Sequence, residues 1–231
     1  MALAIFDLDN TLLDGDSDYL WGRFLVSRGI VDCERYEREN DRFYRDYRDG
    51  TLDIEEFLRF SLEPLRRHPR DLLERLREQF VREQIAPIML AAARELIARH
   101  RAAGDTLMII TATNAFVTAP IAAGFGIEHL IATLPAEENG RFTGEVAGIP
   151  AFRDGKVRRL EQWLDEQGGD LTGSSFYSDS HNDLPLLERV ERPVAVDPDP
   201  RLLETAVSRG WAILSLRASD ARTSAKDGAT A

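Results

Sequence analysis

The stretch LAIFDLDNTLLDGDSDYLW, residues 3–21, decides how this chain reads. Leu3 to Phe6 form a continuous apolar run, short enough for a strand buried on both faces, and the run ends on a carboxylate. Asp7, Asp9, Asp14, Asp16 and Asp18 then fall within twelve positions, where like charges repel. Two unit charges about 4 Å apart interact by roughly 4 kcal/mol even at an effective dielectric of 20, so a cluster of this kind calls for a cation.

Further along, residues 106–111, 174–179, 193–197 and 211–216 repeat the pattern of a brief apolar run, mostly closed by a polar residue. Helical patterns separate them at 87–104, 116–126, 156–169 and 185–190. Strand and helix in alternation predict an α/β fold, a doubly wound parallel sheet with helices on both faces. From Asp18 to Gln84 no strand pattern occurs, only amphipathic helix, which predicts an all-helical cap inserted after the first strand. Its aromatic stripe of Tyr36, Phe43, Tyr44 and Tyr47 is expected to be that segment's own core. Asn139-Gly140 between short extended runs in residues 131–148 predicts a hairpin. The expected organisation is an α/β core over 1–15 and 85–217, a cap over 16–84, and a small, polar, disordered tail over 218–231.

With 231 residues the chain can bury a substantial core. A formal net charge of −11 and no local basic patch argue against nucleic acid and anionic lipid as partners. The start has no basic segment before its apolar run, and no stretch is long enough to span a bilayer, so a cytoplasmic protein is expected. The single cysteine, Cys33, fits a reducing compartment and has no neighbouring histidine to activate it.

In an open parallel sheet, ligands bind beyond the carboxyl ends of the strands. Asp7 and Asp9, Thr111, and Asp179 with Asp183 all close strands, and Lys156 opens a helix between them. Hard oxygen donors without cysteine suit Mg²⁺. A carboxylate, a hydroxyl, a lysine and Mg²⁺ around one point are the parts of a phosphoryl-transfer site acting on a small-molecule phosphate monoester. In that reading Asp7 attacks phosphorus, Asp9 handles the leaving-group proton, and Lys156 and Thr111 meet the phosphoryl oxygens. His181 is expected to hold a loop position without essential chemistry.

These motifs, DLDNT (7–11), Thr111 in IITATN, Lys156 in RDGKVRRL and SDSHNDLP (178–185), come in the order of the haloacid dehalogenase-like superfamily, whose phosphatases the chain resembles from residue 2 to about 216. The resemblance implies a Rossmann-like core, Asp7 as nucleophile, Asp9 as acid/base, and Mg²⁺ held by Asp7, the Asp9 backbone carbonyl and Asp179 with support from Asp183. Asn114 and Asn182 complete the residues expected at the substrate. A helical cap directly after the first motif resembles the phosphoserine-phosphatase-like branch. A receiver-type phosphotransfer module and a catalytically idle binding protein are the alternatives of another class. The N-terminal place of DLDNT and the helical insertion argue against the first, and the intact motif residues against the second.

For the substrate, the branch's amine-binding glutamate corresponds by spacing to Asp16, and its carboxylate-binding arginine to Ser61, with Arg59 about 200° away on the helix. The surrounding pattern is most similar to a bacterial histidinol-phosphatase-like subgroup. An amino-alcohol phosphate such as histidinol phosphate is therefore expected, with phosphoserine as the alternative.

Overall fold

A computed structural model describes residues 2–217, so the expectation of a disordered tail lies outside the described residues. Strand β1 (Leu3–Phe6) is buried at all four positions, as a strand covered on both faces requires. It pairs in parallel with β2 (Thr106–Asn114) on one side and β6 (Ser175–Ser178) on the other. The sheet is completed by β3 (His129–Thr133), β7 (Arg192–Val196) and β8 (Ala212–Leu214) in the order β3-β2-β1-β6-β7-β8, parallel throughout.

Alternation along β1 divides the core. Ala4 and Phe6 face a cluster with helices α6 (Ala91–Ala102) and α7 (Ala115–Gly124), while Leu3 and Ile5 face α8 (Asp154–Gln167), α9 (Leu184–Leu187) and α10 (Pro200–Arg209). Two elements stand outside the sequence expectation. Strand β3 runs through Leu134 into the hairpin β4 (Pro135–Glu138)–β5 (Arg141–Val146) with no turn residue to separate them, so its apolar run reads as a hairpin arm. Helix α10 carries complete signals, an Asp199 cap, Pro200 at its start and Gly210 after it, and buries Leu202 and Ala206 against the sheet. The Asn139-Gly140 turn is present, with both residues at positive φ (50° and 77°).

Between β1 and β2 the chain is helical: α1 (Ser17–Ser27), α2 (Cys33–Asp49), α3 (Ile54–Ser61), α4 (Glu63–Arg67) and α5 (Arg70–Phe80), followed by a π turn and a 3₁₀ turn. This insertion has two sets of packing partners. Trp21 and Phe24 of α1 pack with Phe80 of α5, and Trp21 also meets Phe116 of α7, so α1 and α5 join the cluster on the sheet. Tyr36, Phe43, Leu52 and Phe60 form a separate cluster between α2 and α3, which Phe152 of the α/β core joins, so the aromatic stripe is not the insertion's own core alone.

The carboxyl end of α2 is gripped by the core. Asn182 Nδ2 donates to the Tyr47 carbonyl at 3.0 Å, Arg201 Nη1 to the Asp49 carbonyl at 2.8 Å, and Arg153 Nη2 to the Gly50 carbonyl at 2.6 Å. The carbonyls at a helix's carboxyl end lack the full set of helical partners, though the Gly50 amide also reaches the Tyr47 carbonyl at 3.2 Å, and the two guanidinium groups complement the negative end of the helix dipole.

Candidate active site

The four sequence motifs meet at the carboxyl ends of β1, β2 and β6. Strand β2 runs beyond β1, whose last partner pair is Phe6 with Ile109, and so carries Thr111 and Thr113 past the Asp7–Asp9 turn. Thr113 Oγ1 donates to Asp9 Oδ2 at 2.8 Å, and Thr111 Oγ1 lies 3.4 Å from the same oxygen. The Ser17 amide donates to Asp9 Oδ1 at 2.6 Å. Thr11, the last residue of DLDNT, ties the first motif to the fourth by donating to Asp179 Oδ1 at 2.9 Å.

Lys156 lies between two carboxylates, 2.8 Å from Asp7 Oδ1 and 2.7 Å from Asp183 Oδ1. All three side chains are buried, and Ser178 Oγ adds a 2.7 Å bond to Asp183 Oδ2. Gly155 makes this placement possible, because a Cβ there would stand 2.0 Å from the Pro150 carbonyl oxygen. Burial works to lower the Lys156 pKa, but Asp183 and Asp7 outweigh it and hold the ammonium charged. Burial pushes Asp7 up to about 7, with Asp183 and Asp9 adding to the rise and Lys156 opposing it. Asp179 is driven well above the carboxylate range by burial and by Asp7.

One ammonium among these carboxylates leaves positive charge in short supply. Among the described residues no three acidic, histidine or cysteine side chains group tightly enough for a cage made by protein alone. The carboxylates of Asp7 and Asp179, both raised by burial and by acidic neighbours, are hard oxygen donors of the kind that suit Mg²⁺.

Above Asp7 a cavity opens between core and insertion. Asp7, Asp9, Asp16, Asp18, Asn40, Thr111 and Thr113 give it polar walls, and Phe43, Tyr44, Tyr47, Phe57 and Phe152 give it aromatic ones. No arginine or lysine of the described residues lines it. The aromatic stripe of α2 therefore serves twice, with Tyr36 and Phe43 in the cap cluster and Phe43, Tyr44 and Tyr47 on the cavity. Asp16 caps α1 by accepting the Tyr19 amide at 2.9 Å, and burial and Asp9 raise its pKa well above the usual range. Asp18, in the first turn of α1, also faces the cavity. Burial, then Asp9, push it up to about 7.

The other predicted residues lie off the cavity wall. Ser61 is buried with its hydroxyl unpartnered, and Arg59 is exposed near Glu55. Asn114 caps α7 by accepting the Val117 amide; its Nδ2 lies beside Asp18 without a hydrogen bond of ordinary geometry. Asn182 accepts from Arg153 Nε at 3.0 Å and donates to the Tyr47 carbonyl at 3.0 Å. His181 is fixed against Asp199, Nδ1 to Oδ2 at 2.7 Å. Thr113 is absent from the sequence reading, and Thr11 and Asp18 carry no site role of their own there. Thr113 shares a strand face with Thr111, a period-two signal that was there to be read.

A family model for haloacid dehalogenase-like hydrolases matches residues 4–188. The chain is 44% identical to a histidinol-phosphatase of Neisseria meningitidis serogroup C over 93% of its own length and 99% of the relative's. It is 32% identical to the phosphoserine phosphatase SerB1 of Mycobacterium tuberculosis, covering 94% and 71%. A solved structure of a Bordetella pertussis Tohama I protein of unknown function superposes with a TM-score of 0.88 at 46% identity, covering 94% and 99%. The chain belongs to the haloacid dehalogenase-like hydrolase family. It is an enzyme of the phosphatase kind, and the receiver and idle-scaffold alternatives fall away.

Proposed function

We propose that the chain is a Mg²⁺-dependent phosphatase of small amino-alcohol phosphates, with histidinol phosphate as the leading substrate. The observation that carries this reading is the cavity wall, which presents Asp16 and Asp18 to a cationic substrate end and, among the described residues, no arginine or lysine to a substrate carboxylate. Phosphoserine, the runner-up, would leave its carboxylate unpaired in a partly desolvated space. The name of the Neisseria relative supports the same choice. The absence of any helix long and apolar enough to cross a membrane, among the described residues, and an exposed free Cys33 suit a cytoplasmic enzyme.

The proposed chemistry has two steps. An Asp7 carboxylate oxygen attacks phosphorus; the bond from phosphorus to the alkyl oxygen breaks, and Asp9 gives its proton to the departing alkoxide. Asp9 then takes a proton from water as the water oxygen attacks the aspartyl-phosphate, which releases inorganic phosphate and restores Asp7. Thr113 and Thr111 orient the Asp9 carboxylate, and Lys156 holds Asp7 in place and offsets its charge. Asp7, Asp179 and the Asp9 carbonyl would hold Mg²⁺, with Asp183 behind them, and the ion would supply charge neutralisation at the phosphoryl oxygens.

If Asp9 serves the leaving group, Asp9→Asn should impair alkyl esters more than aryl phosphates, whose leaving groups need a proton less. The check is kcat/KM on one ester of each class; equal losses would assign Asp9 a purely structural part.

The substrate reading is tested with purified protein and Mg²⁺ on histidinol phosphate, phosphoserine and an aryl phosphate. Histidinol phosphate should be preferred to phosphoserine, and excess chelator should remove turnover. Asp16→Asn keeps the helix cap but removes the charge. A charge-assisted bond contributes about 1.5–3 kcal/mol, so kcat/KM for the amine substrate should fall roughly ten- to a hundredfold further than for the aryl phosphate. Full activity in chelator, or a preference for phosphoserine, would refute the assignment.

A further inference from the structure

Asp18 occupies an unusual place for an acidic residue in the first turn of a surface helix. Such residues normally face water and complement the helix dipole. Here α1 and α2 cross closely at Gly22, where a Cβ would meet Asn40 and Tyr36 at 2.9 Å. Gly22 lies four residues beyond Asp18, on the same face of α1, so the crossing holds Asp18 under α2. The donor beside its carboxylate is Asn114 Nδ2, which does not reach ordinary hydrogen-bond geometry, whereas Asp16 already accepts the Tyr19 amide. Asn114 is 2% exposed, and its Oδ1 is taken by the Val117 amide while its Nδ2 has no hydrogen bond of ordinary geometry.

The cavity around Asp18 is not polar throughout. Asn40 stands on the same wall, and the rings of Phe43, Phe57 and Phe152 complete it. A carboxylate with free acceptor capacity beside aromatic walls suits a flat group with an N–H at its edge. The walls take the faces of the ring, and the carboxylate takes the donor. A plain alkyl amine would leave the aromatic walls unused, and a plain apolar ring would leave the carboxylate unsatisfied.

We propose that Asp18 is a specificity-determining residue that accepts a hydrogen bond from a ring N–H at the end of the substrate remote from phosphorus, while Asp16 takes the amine. This rests on the amino-alcohol phosphate reading and extends it from the amine to the ring. The two acids then divide the substrate between them. Asp16 recognises what all amino-alcohol phosphates share, and Asp18 distinguishes among their side chains.

The experiment uses two substrates that differ only in the ring. Histidinol phosphate carries an imidazole; phenylalaninol phosphate has the same amine, alcohol and phosphate with a phenyl group that lacks the N–H. A site built to hydrogen-bond a donor discriminates strongly against an analogue without it, so wild type should favour histidinol phosphate by at least about tenfold in kcat/KM. Asp18→Asn, close in size, should shrink that ratio by about tenfold, with the greater loss on histidinol phosphate. Asp16→Asn should lower both substrates by similar factors and leave the ratio standing. Asp18→Ser gives the same readout should Asp18→Asn fail to fold. Equal losses on the two substrates in the Asp18 variants, or a wild type that does not discriminate, would overturn the assignment of Asp18 while leaving the amino-alcohol reading intact. A wild type that prefers phosphoserine to both would overturn the two together.

Discussion

Asp7→Asn should reduce turnover of every phosphate ester by at least roughly 10⁴-fold, the scale on which loss of a nucleophile is felt in enzymes that work through a covalent intermediate. The same variant should fold as well as wild type. Asn has the shape of Asp, the Asp7 amide still donates to the Tyr177 carbonyl, and Lys156 keeps Asp183 at 2.7 Å, so no buried cation is orphaned. Removing one of several mutually repelling carboxylates also relieves the repulsion that Asp183 and Asp9 exert on Asp7. The expected midpoint of thermal unfolding in metal-free buffer is therefore equal to or above that of wild type. Activity above about one hundredth of wild type would remove Asp7 from the nucleophile's role, and a large fall in melting temperature would show that its part is structural.

The opposite pattern is expected of Lys156→Met. Both carboxylates beside Lys156 are buried, at 4% exposure for Asp7 and 2% for Asp183, and Lys156 bridges them. Breaking a buried ion pair from one side costs about 3–5 kcal/mol because the remaining charge is left uncompensated. For a chain of this size each kcal/mol moves the melting temperature by about 2–4 °C, so a fall of roughly 6–20 °C follows. Turnover should fall too, by the roughly 10²–10³-fold typical of losing one electrostatic contact to the reacting group.

The stability deficit has a pH signature. Asp7 is already raised above its unfolded value to about 7 in wild type by burial, and without the ammonium it would rise further. A carboxyl with a raised folded pKa binds its proton more tightly when folded, so stability is lost as pH rises through that range and regained as pH falls. The gap between Lys156→Met and wild type should therefore narrow from pH 8 to pH 5. A variant melting within about 2 °C of wild type at pH 8 would contradict the pairing.

Much of this site is legible in the chain because its groups sit where apolar runs stop. Asp7 follows four buried residues, Thr111 follows five residues of a nine-residue strand, and Asp179 directly follows β6. The parallel sheet brings those ends together, so the order of motifs is also a map. Asp18 was not legible in this way. Its position in the first turn of α1 matches that of any solvated helix acid, and only the close crossing at Gly22 turns it inward. The aromatic residues of α2 carry a helical period that reports one shared face but not what lies opposite. The structure divides that face between the cap cluster and the cavity. Asn182 illustrates the same limit, since its local sequence gives no sign that its amide would reach the Tyr47 carbonyl 135 residues away.

The grip of Asn182, Arg201 and Arg153 on α2 engages only main-chain oxygens, those of Tyr47, Asp49 and Gly50. A carbonyl is present whatever side chain the residue bears, so this attachment is indifferent to the composition of the helix it secures. The side chains of Phe43 and Tyr44, a turn earlier on the same helix, take no part in that attachment; they line the cavity, and Phe43 also packs in the cap cluster. Descent can thus rewrite what the chamber admits without renegotiating how its roof is fastened. That separation lets the cavity wall change while the reaction centre stays assembled.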